Sequence, residues 1–363
     1  MCRKIFIGAT GQHCGKTTIS LSLMHLARKK YGRVGFMKPL GPKWIEFNGQ
    51  IVDKDAAMFA TVFGIEEDVT LMSPLTLSPG VTRRYLDGEI DAAVPRDLIR
   101  SACAVLEEKY DFLIIEGAGH GGVGSVVGMN NARIAAELNA PVLLVTGGGI
   151  GNVIDSVELN LALYQREGAD VRIIMANKLV PEKRVNTLGY LAKAFACSGI
   201  MVTSAFDYLP TLADPTLYHV SELLGLPLNG DSAERSRLCH TIQLGAASSQ
   251  IVIDHLEAST LLIVTSSRDE LLVTASSLHH IPEYKARLAG LIIAGHVPVS
   301  NITQRIIDDS NIPYIRIKKT SSEIFYRLRE HVSKIGPEDH EKIDLINSIA
   351  ERYIDFEAID AMI

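Results

Sequence analysis

Residues 8–20, GATGQHCGKTTIS, set a lysine and two threonines behind a run of small residues. The stretch follows the short apolar run KIFI (4–7) and precedes the apolar-periodic segment LSLMHLARKK, so it reads as a strand-to-helix turn. Such a turn can aim its backbone N–H groups, and the N-terminus of the helix behind it, at a phosphate. Thr10, Gly11, Gln12, His13, Cys14, Gly15, Lys16, Thr17 and Thr18 would then wrap the phosphates of a nucleoside triphosphate. Lys16 would reach the β and γ phosphates, and Thr17 would ligate Mg²⁺. The strict pattern G-x-x-x-x-G-K-[ST] is not met, because its first glycine position holds Thr10.

Three charged residues stand where further apolar runs end. Lys38 follows VGFM (34–37), Asp55 opens the helical segment DAAMFATVFG, and Glu116 closes FLIIE. Mg²⁺ is usually held by one or two carboxylates plus phosphate oxygens, which makes Asp55 and Glu116 metal candidates beside Thr17. Either acid alone would read as a helix cap or a solvated charge. Lys38 is a second cation able to offset charge on a transferring phosphoryl group, so Lys16 and Lys38 are the catalytic candidates. Asn177, at the end of RIIMANK, carries an amide able to donate to and accept from an adenine edge. The glycine-rich stretch HGGVGSVVGMNNARIA offers His120, Ser125 and Asn131 as candidate substrate contacts. The alternative is a flexible surface loop with incidental polar residues.

These residues need rigid elements behind them. FLIIEG, PVLLVTGG and RIIMANK are short, nearly continuous apolar runs separated by helical patterns near 130–138, 152–166 and 182–198. Such runs suit strands buried on both faces of a parallel sheet. The expected fold is therefore α/β, a doubly wound parallel sheet with ligands at the C-terminal strand ends. The alternation loosens around YLPTLADPTL (208–217), which sets a domain boundary. A first domain over 1–212 and a second, smaller α/β domain over 213–363 follow, the latter with strands TLLIVTS, LAGLIIAG and PYIRI and a helix from about Glu338.

Bulk properties narrow the function classes. The 363 residues are 47% hydrophobic and 21% charged, with net charge −6. That composition suits a globular protein and argues against nucleic-acid binding by general phosphate attraction. No apolar run approaches the roughly 20 residues of a membrane helix. No membrane partner is expected. Cys2, Cys14, Cys103, Cys197 and Cys239 are scattered, without metal spacing, which fits a reduced cytoplasmic protein. Cys239 beside His240 reads as a buried structural cysteine, and His279-His280 as a surface turn.

Taken together, GATGQHCGKTT, FMKPL, DKDAA, IIEGAG, MANK and SAFDYLPTLADPT resemble the dethiobiotin synthetase family of P-loop enzymes over residues 1–215. The resemblance implies ATP and Mg²⁺ as cofactors and a homodimer. It also implies phosphoryl transfer to a carboxylate or carbamate that an amine then attacks, on an unidentified small-molecule substrate. Two stretches depart from that family: Gly41-Pro42-Lys43-Trp44 after Lys38-Pro39-Leu40, and the glycine-rich loop after EGAG. SPLTLSPGVTRRYLDG resembles instead the N-terminal module of long bacterial phosphate acetyltransferases. LYHVSELLGLPLNG, Arg268-Asp269, LAGLIIAGHVPVSN and IPYIRIKKTSSEI resemble the DRTGG domain that follows it there, a domain thought to be regulatory. Since the sequence ends at Ile363, acetyl transfer is not expected from it. The cobyrinic acid a,c-diamide synthases are a further resemblance, but no glutaminase cysteine elbow surrounds Cys239. Two readings remain at this point: an ATP-dependent ligase of unknown acceptor, and a nucleotide-binding, ligand-sensing regulator.

Overall fold

Runs of Ile, Leu, Val and Phe without polar interruption become strands covered on both faces, as parallel strands flanked by helices must be. The computed structural model describes residues 2–91, 93–330 and 335–363. Its larger sheet contains β1 (Arg3–Ala9), β2 (Val34–Met37), β3 (Phe112–Glu116), β4 (Val142–Thr146), β5 (Val171–Ala176) and β6 (Met201–Ser204). The order is β6-β5-β4-β1-β3-β2, and every neighbouring pair is parallel. Ile5 registers against Ile114 on one side of β1, and Phe6 against Val142 on the other. The chain fills one flank with β2 and β3, then crosses β1 to build the other. That reversal at β1 opens the crevice where such sheets take ligands.

Helix α1 (Lys16–Lys30) starts at Gly15, buries Ile19, Leu23, Met24 and Ala27, and ends in Arg28, Lys29 and Lys30. The cations suit the negative end of the helix dipole. Helix α2 (Lys54–Phe63) is capped by the Asp53 side chain, which accepts from the Asp55 N–H, and stops at left-handed Gly64. Strands Trp44–Phe47 and Gln50–Asp53 form a hairpin leading into that cap. Helix α3 (Ile150–Glu167) follows β4.

Two compact units divide the chain: Met1–Leu209 with Ile343–Ile363, and Pro210–Lys342. The C-terminal helical segment, expected with the second domain, thus joins the first unit from Ile343 onward. The reason is electrostatic and apolar together. Buried Asp360 accepts from the Tyr31 hydroxyl at 2.9 Å and pairs with Arg3 at 3.0 Å and Lys30 at 2.8 Å. Glu351 pairs with Lys29 at 2.5 Å, and Phe356 packs 5.8 Å from the Phe112 ring. The acids meet the basic end of α1.

In the second unit β7 (Thr241–Leu244), β8 (Thr260–Thr265), β9 (Leu288–Ala294) and β10 (Tyr314–Ile317) lie side by side in chain order, all parallel. Leu217, Val220, Ile324 and Leu328 cover one face. Val252, Leu271, Leu272, Ala275 and Ile307 cover the other. Helix α4 (Asp269–Leu278) follows β8. The expected surface turn at His279-His280 holds only for His280: His279 is buried, one turn beyond Ala275 on the core face of α4. Cys239 is buried as expected, and burial pushes its thiol up to about 12, far from a nucleophile's range. Among the described residues, no helix is long and apolar enough to cross a membrane.

Candidate functional site

The loop after β1 is built from backbone constraints. The Thr10 N–H donates to the Val145 carbonyl at 3.0 Å, and the Thr10 hydroxyl donates to that of Thr146 at 3.1 Å. His13 and Gly15 take left-handed backbone angles, φ 59° and 98°. Gly15 has a second reason to lack a side chain, because a Cβ there would overlap the Asn177 amide. The Gly15 carbonyl then accepts from the Ile19 N–H at 3.0 Å, which starts α1. Lys16 Nζ donates to the Gly119 carbonyl at 2.6 Å, across the crevice.

The sheet topology brings Thr17, Lys38, Asp55 and Glu116 together beside this loop. Lys38 Nζ lies 2.6 Å from Glu116 Oε1 and 3.1 Å from Asp55 Oδ2. Thr17 Oγ1 donates to the same Glu116 oxygen at 3.4 Å. Lys38, Asp55, Glu116 and Asp53 are all buried. Burial alone would push the Lys38 ammonium down, but Glu116, Asp55 and Asp53 outweigh it and hold it above its ordinary value. Asp53 moves up to about 6, first through burial and then through the charge of Asp55. Its Oδ2 also accepts from the Lys43 N–H at 3.3 Å.

Mg²⁺ fits the residues present. Among the described residues Glu116 Oε2 is buried without a hydrogen-bond partner, an acceptor left over after Lys38 and Thr17 have taken Oε1. A buried lone carboxylate oxygen is costly unless a donor or cation meets it. Among the described residues there is no cluster of three or more His, Cys, Asp or Glu side chains able to hold a metal by itself. Two carboxylates, a threonine and phosphate oxygens suit a cation that arrives with its nucleotide.

The other sequence candidates stand apart from this group. Asn177 is buried behind the loop, where its Nδ2 donates to the Cys14 carbonyl at 3.0 Å and its Oδ1 accepts from the Phe206 N–H at 3.3 Å. Asn131 holds the glycine-rich loop from inside, with its Nδ2 2.6 Å from both the Ala118 and His120 carbonyls. His120 Nδ1 accepts from the Gly122 N–H at 3.2 Å, and Ser125 Oγ donates to the Gly122 carbonyl at 2.7 Å. These three groups shape their own loop. Sequence reading passed over Asp53, whose position directly before a helical pattern is a cap signal. It also passed over Asn160 on α3, which bonds both the Thr10 carbonyl and the Gly121 N–H. No local pattern marks Asn160.

A glycine-bearing strand-to-helix loop, its lysine and a paired carboxylate set at a switch point define a P-loop nucleotide-binding α/β protein. The chain belongs to the AAA domain family, whose model matches residues 3–216, and it carries a DRTGG domain over residues 220–330. The AAA domain is of the dethiobiotin synthetase-like kind. A phosphate acetyltransferase of Nitratidesulfovibrio vulgaris is 23% identical over 98% of this chain and 51% of its own length. An ATP-dependent dethiobiotin synthetase of Clostridium kluyveri is 27% identical over 49% of this chain and 75% of its own. The chain thus spans about half the length of the phosphate acetyltransferases it matches. A Cyanothece McdA–ATP complex superposes with TM-score 0.39 at 10% identity, covering 58% of this chain and 85% of that one.

Proposed function

We propose that the first unit binds Mg-ATP and transfers its γ-phosphoryl group to a carboxylate or carbamate of a small acceptor, as a ligase does. The observation that carries this reading is the retained set of Lys16, Thr17, Lys38, Asp55 and Glu116 around one crevice. An acceptor oxygen attacks the γ-phosphorus, ADP leaves with the bridging oxygen, and an amine then displaces phosphate from the acyl phosphate. The protein's part is positioning and charge. Lys16 holds the β and γ phosphates, and Lys38 offsets charge on the transferring group. Thr17, Asp55 and Glu116 would hold Mg²⁺, which would supply positive charge to offset that of the phosphates. The reading includes the homodimer that the dethiobiotin synthetase resemblance implies.

The test is ADP release from Mg-ATP with and without diaminopelargonate plus bicarbonate. A stimulated rate that falls at least about 100-fold in Lys16→Ala and in Glu116→Gln supports a ligase acting on that acceptor. A rate that ignores both additions removes dethiobiotin synthesis. Full turnover in Glu116→Gln removes the assignment of the metal acid.

One observation favours a second reading, a nucleotide-binding sensor. The match to phosphate acetyltransferase runs through both units and covers 98% of the chain. A sensor would bind ATP through the same residues without acceptor-stimulated turnover.

A further inference from the structure

Two loops meet at the candidate site, the phosphate loop and the glycine-rich loop of residues 117–128, and one buried amide on α3 joins them. Asn160 Nδ2 donates to the Thr10 carbonyl at 3.3 Å, and its Oδ1 accepts from the Gly121 N–H at 3.0 Å. The same Nδ2 donates to the Ser156 carbonyl one turn back at 2.8 Å, which fixes the orientation of the amide. Asparagine is a poor helix former, and a buried amide is costly unless its donors and acceptor are met. Here both loops meet them.

The surroundings are shaped to this bridge. A Cβ at Gly121 would lie 2.8 Å from Asn160 Oδ1 and 3.2 Å from the Tyr164 ring. Tyr164 stands one helical turn beyond Asn160, so both project from one face of α3. It is fully buried, and its hydroxyl has no hydrogen-bond partner among the described residues. A Cβ at Gly8 would overlap that hydroxyl. Bare backbone at Gly8 in β1 and at Gly121 in the glycine-rich loop therefore lets strand and loop close on the same helix. Lys16 Nζ also reaches the Gly119 carbonyl at 2.6 Å, so the lysine proposed to hold phosphate also grips the glycine-rich loop.

We infer that Asn160 is a positioning residue that couples the two loops, so that phosphate engagement by the first loop changes the order of the second. The inference rests on the nucleotide reading above. When Lys16 turns to the phosphates it leaves Gly119, and Asn160 becomes the tie that keeps residues 119–122 in register with Thr10. Nucleotide occupancy is then felt on the acceptor side of the crevice before any acceptor arrives.

The full chain, Asn160→Leu and Asn160→Asp would be compared by two measurements. One is the affinity for a non-hydrolysable ATP analogue with Mg²⁺, by calorimetry. The other is amide hydrogen exchange of a peptide spanning residues 117–128, with and without that analogue. The wild-type peptide should change its exchange on nucleotide binding. Asn160→Leu removes both bonds. Its peptide should exchange at least about tenfold faster without nucleotide, its affinity should fall about tenfold, as expected for one or two lost hydrogen bonds, and its nucleotide response should vanish. Asn160→Asp keeps an acceptor for the Gly121 N–H but faces the Thr10 carbonyl with an acceptor. It should keep the protection of the peptide but lose affinity and the nucleotide response, which separates coupling from mere folding. Wild-type exchange and wild-type nucleotide response in Asn160→Leu would overturn the inference. A wild-type chain that binds no nucleotide overturns the nucleotide reading instead. In that case unaltered exchange in Asn160→Leu still overturns the bridging role, and accelerated exchange supports it.

Discussion

The two units present the same architectural edge, the C-terminal ends of a parallel sheet, and treat charge there in opposite ways. In the first unit Lys38, Asp55 and Glu116 are buried against one another, and one carboxylate oxygen is left over. In the second, two arginines at that edge bond the backbone. Arg268 donates to the Gly245 and Ala247 carbonyls at 2.9 Å each and pairs with Glu270 at 2.5 Å. Arg316 donates to the carbonyls of Ile293 at 2.9 Å and of Ile317 and Val297 at 2.8 Å. Arginine forks that terminate loop carbonyls hold a shape. A buried ion cluster with a spare acceptor holds a charge imbalance, which the proposed phosphoryl transfer would use.

The comparison is tested most strongly by removing one cation from each edge. Lys38→Met leaves Glu116 and Asp55 buried without their ammonium, and breaking a buried pair in this way costs about 3–5 kcal/mol. Urea unfolding followed through Trp44, the one tryptophan of the chain, should show the loss in the first unit. Arg316→Met removes hydrogen bonds at a half-buried side chain and should cost the second unit about 1–2 kcal/mol, read by amide exchange over residues 293–297. Equal costs would mean that the two edges do not differ in kind.

Acid should weaken the second unit through His279. Burial first, then Lys285 and Arg237, hold its imidazole down at about 4 from an ordinary 6.5. Its Nδ1 is buried without a hydrogen-bond partner among the described residues. Between those two values the unfolded chain binds the proton and the folded chain does not, so stability is full above about pH 6.5 and falls toward pH 4. The loss is at most about 3 kcal/mol. His279→Leu should flatten the acid limb of the second unit's unfolding curve; an unchanged limb would show that His279 does not titrate on unfolding.

How far the sequence reveals these features follows from the distance over which each residue acts. The strands of both sheets are legible because burial on two faces leaves unbroken apolar runs such as FLIIE and TLLIVT. Lys38 and Glu116 are legible as candidates because each closes such a run, Asp55 because it opens a helical pattern, and Lys16 because it stands in the GKTT stretch before a helix. Asn160 is not, since its partners Thr10 and Gly121 are 150 and 39 positions away. The place of the C-terminal segment is hidden for the same reason, because Asp360 meets Tyr31 across 329 positions. His279 escapes because a polar residue at a helix end reads as exposed, although it falls at i+4 from Ala275 on the core face.

The smallest effect gives the sharpest contrast of sign. Asp53 does two things at once: its Oδ1 accepts from the Asp55 N–H at 2.9 Å and caps α2, and its carboxylate adds charge beside Asp55. Burial first and Asp55 second raise it from 3.8 to about 6, so the folded chain holds this proton more tightly than the unfolded chain does. Between those values the Asp53 contribution falls as pH rises, opposite to the direction set by His279 in the second unit. Asparagine caps a helix as well as aspartate, so Asp53→Asn should keep α2 and remove this slope from the first unit. Asp53→Ala removes slope and cap together and should cost about 1 kcal/mol more than Asn near pH 4, where the native carboxyl is neutral. Urea midpoints followed through Trp44 at pH 4, 5, 6 and 7 separate the two roles. If Asn and Ala behave alike, the cap carries no stability; if the Asn variant keeps the wild-type slope, the charge of Asp53 is not what the crevice pays to hold.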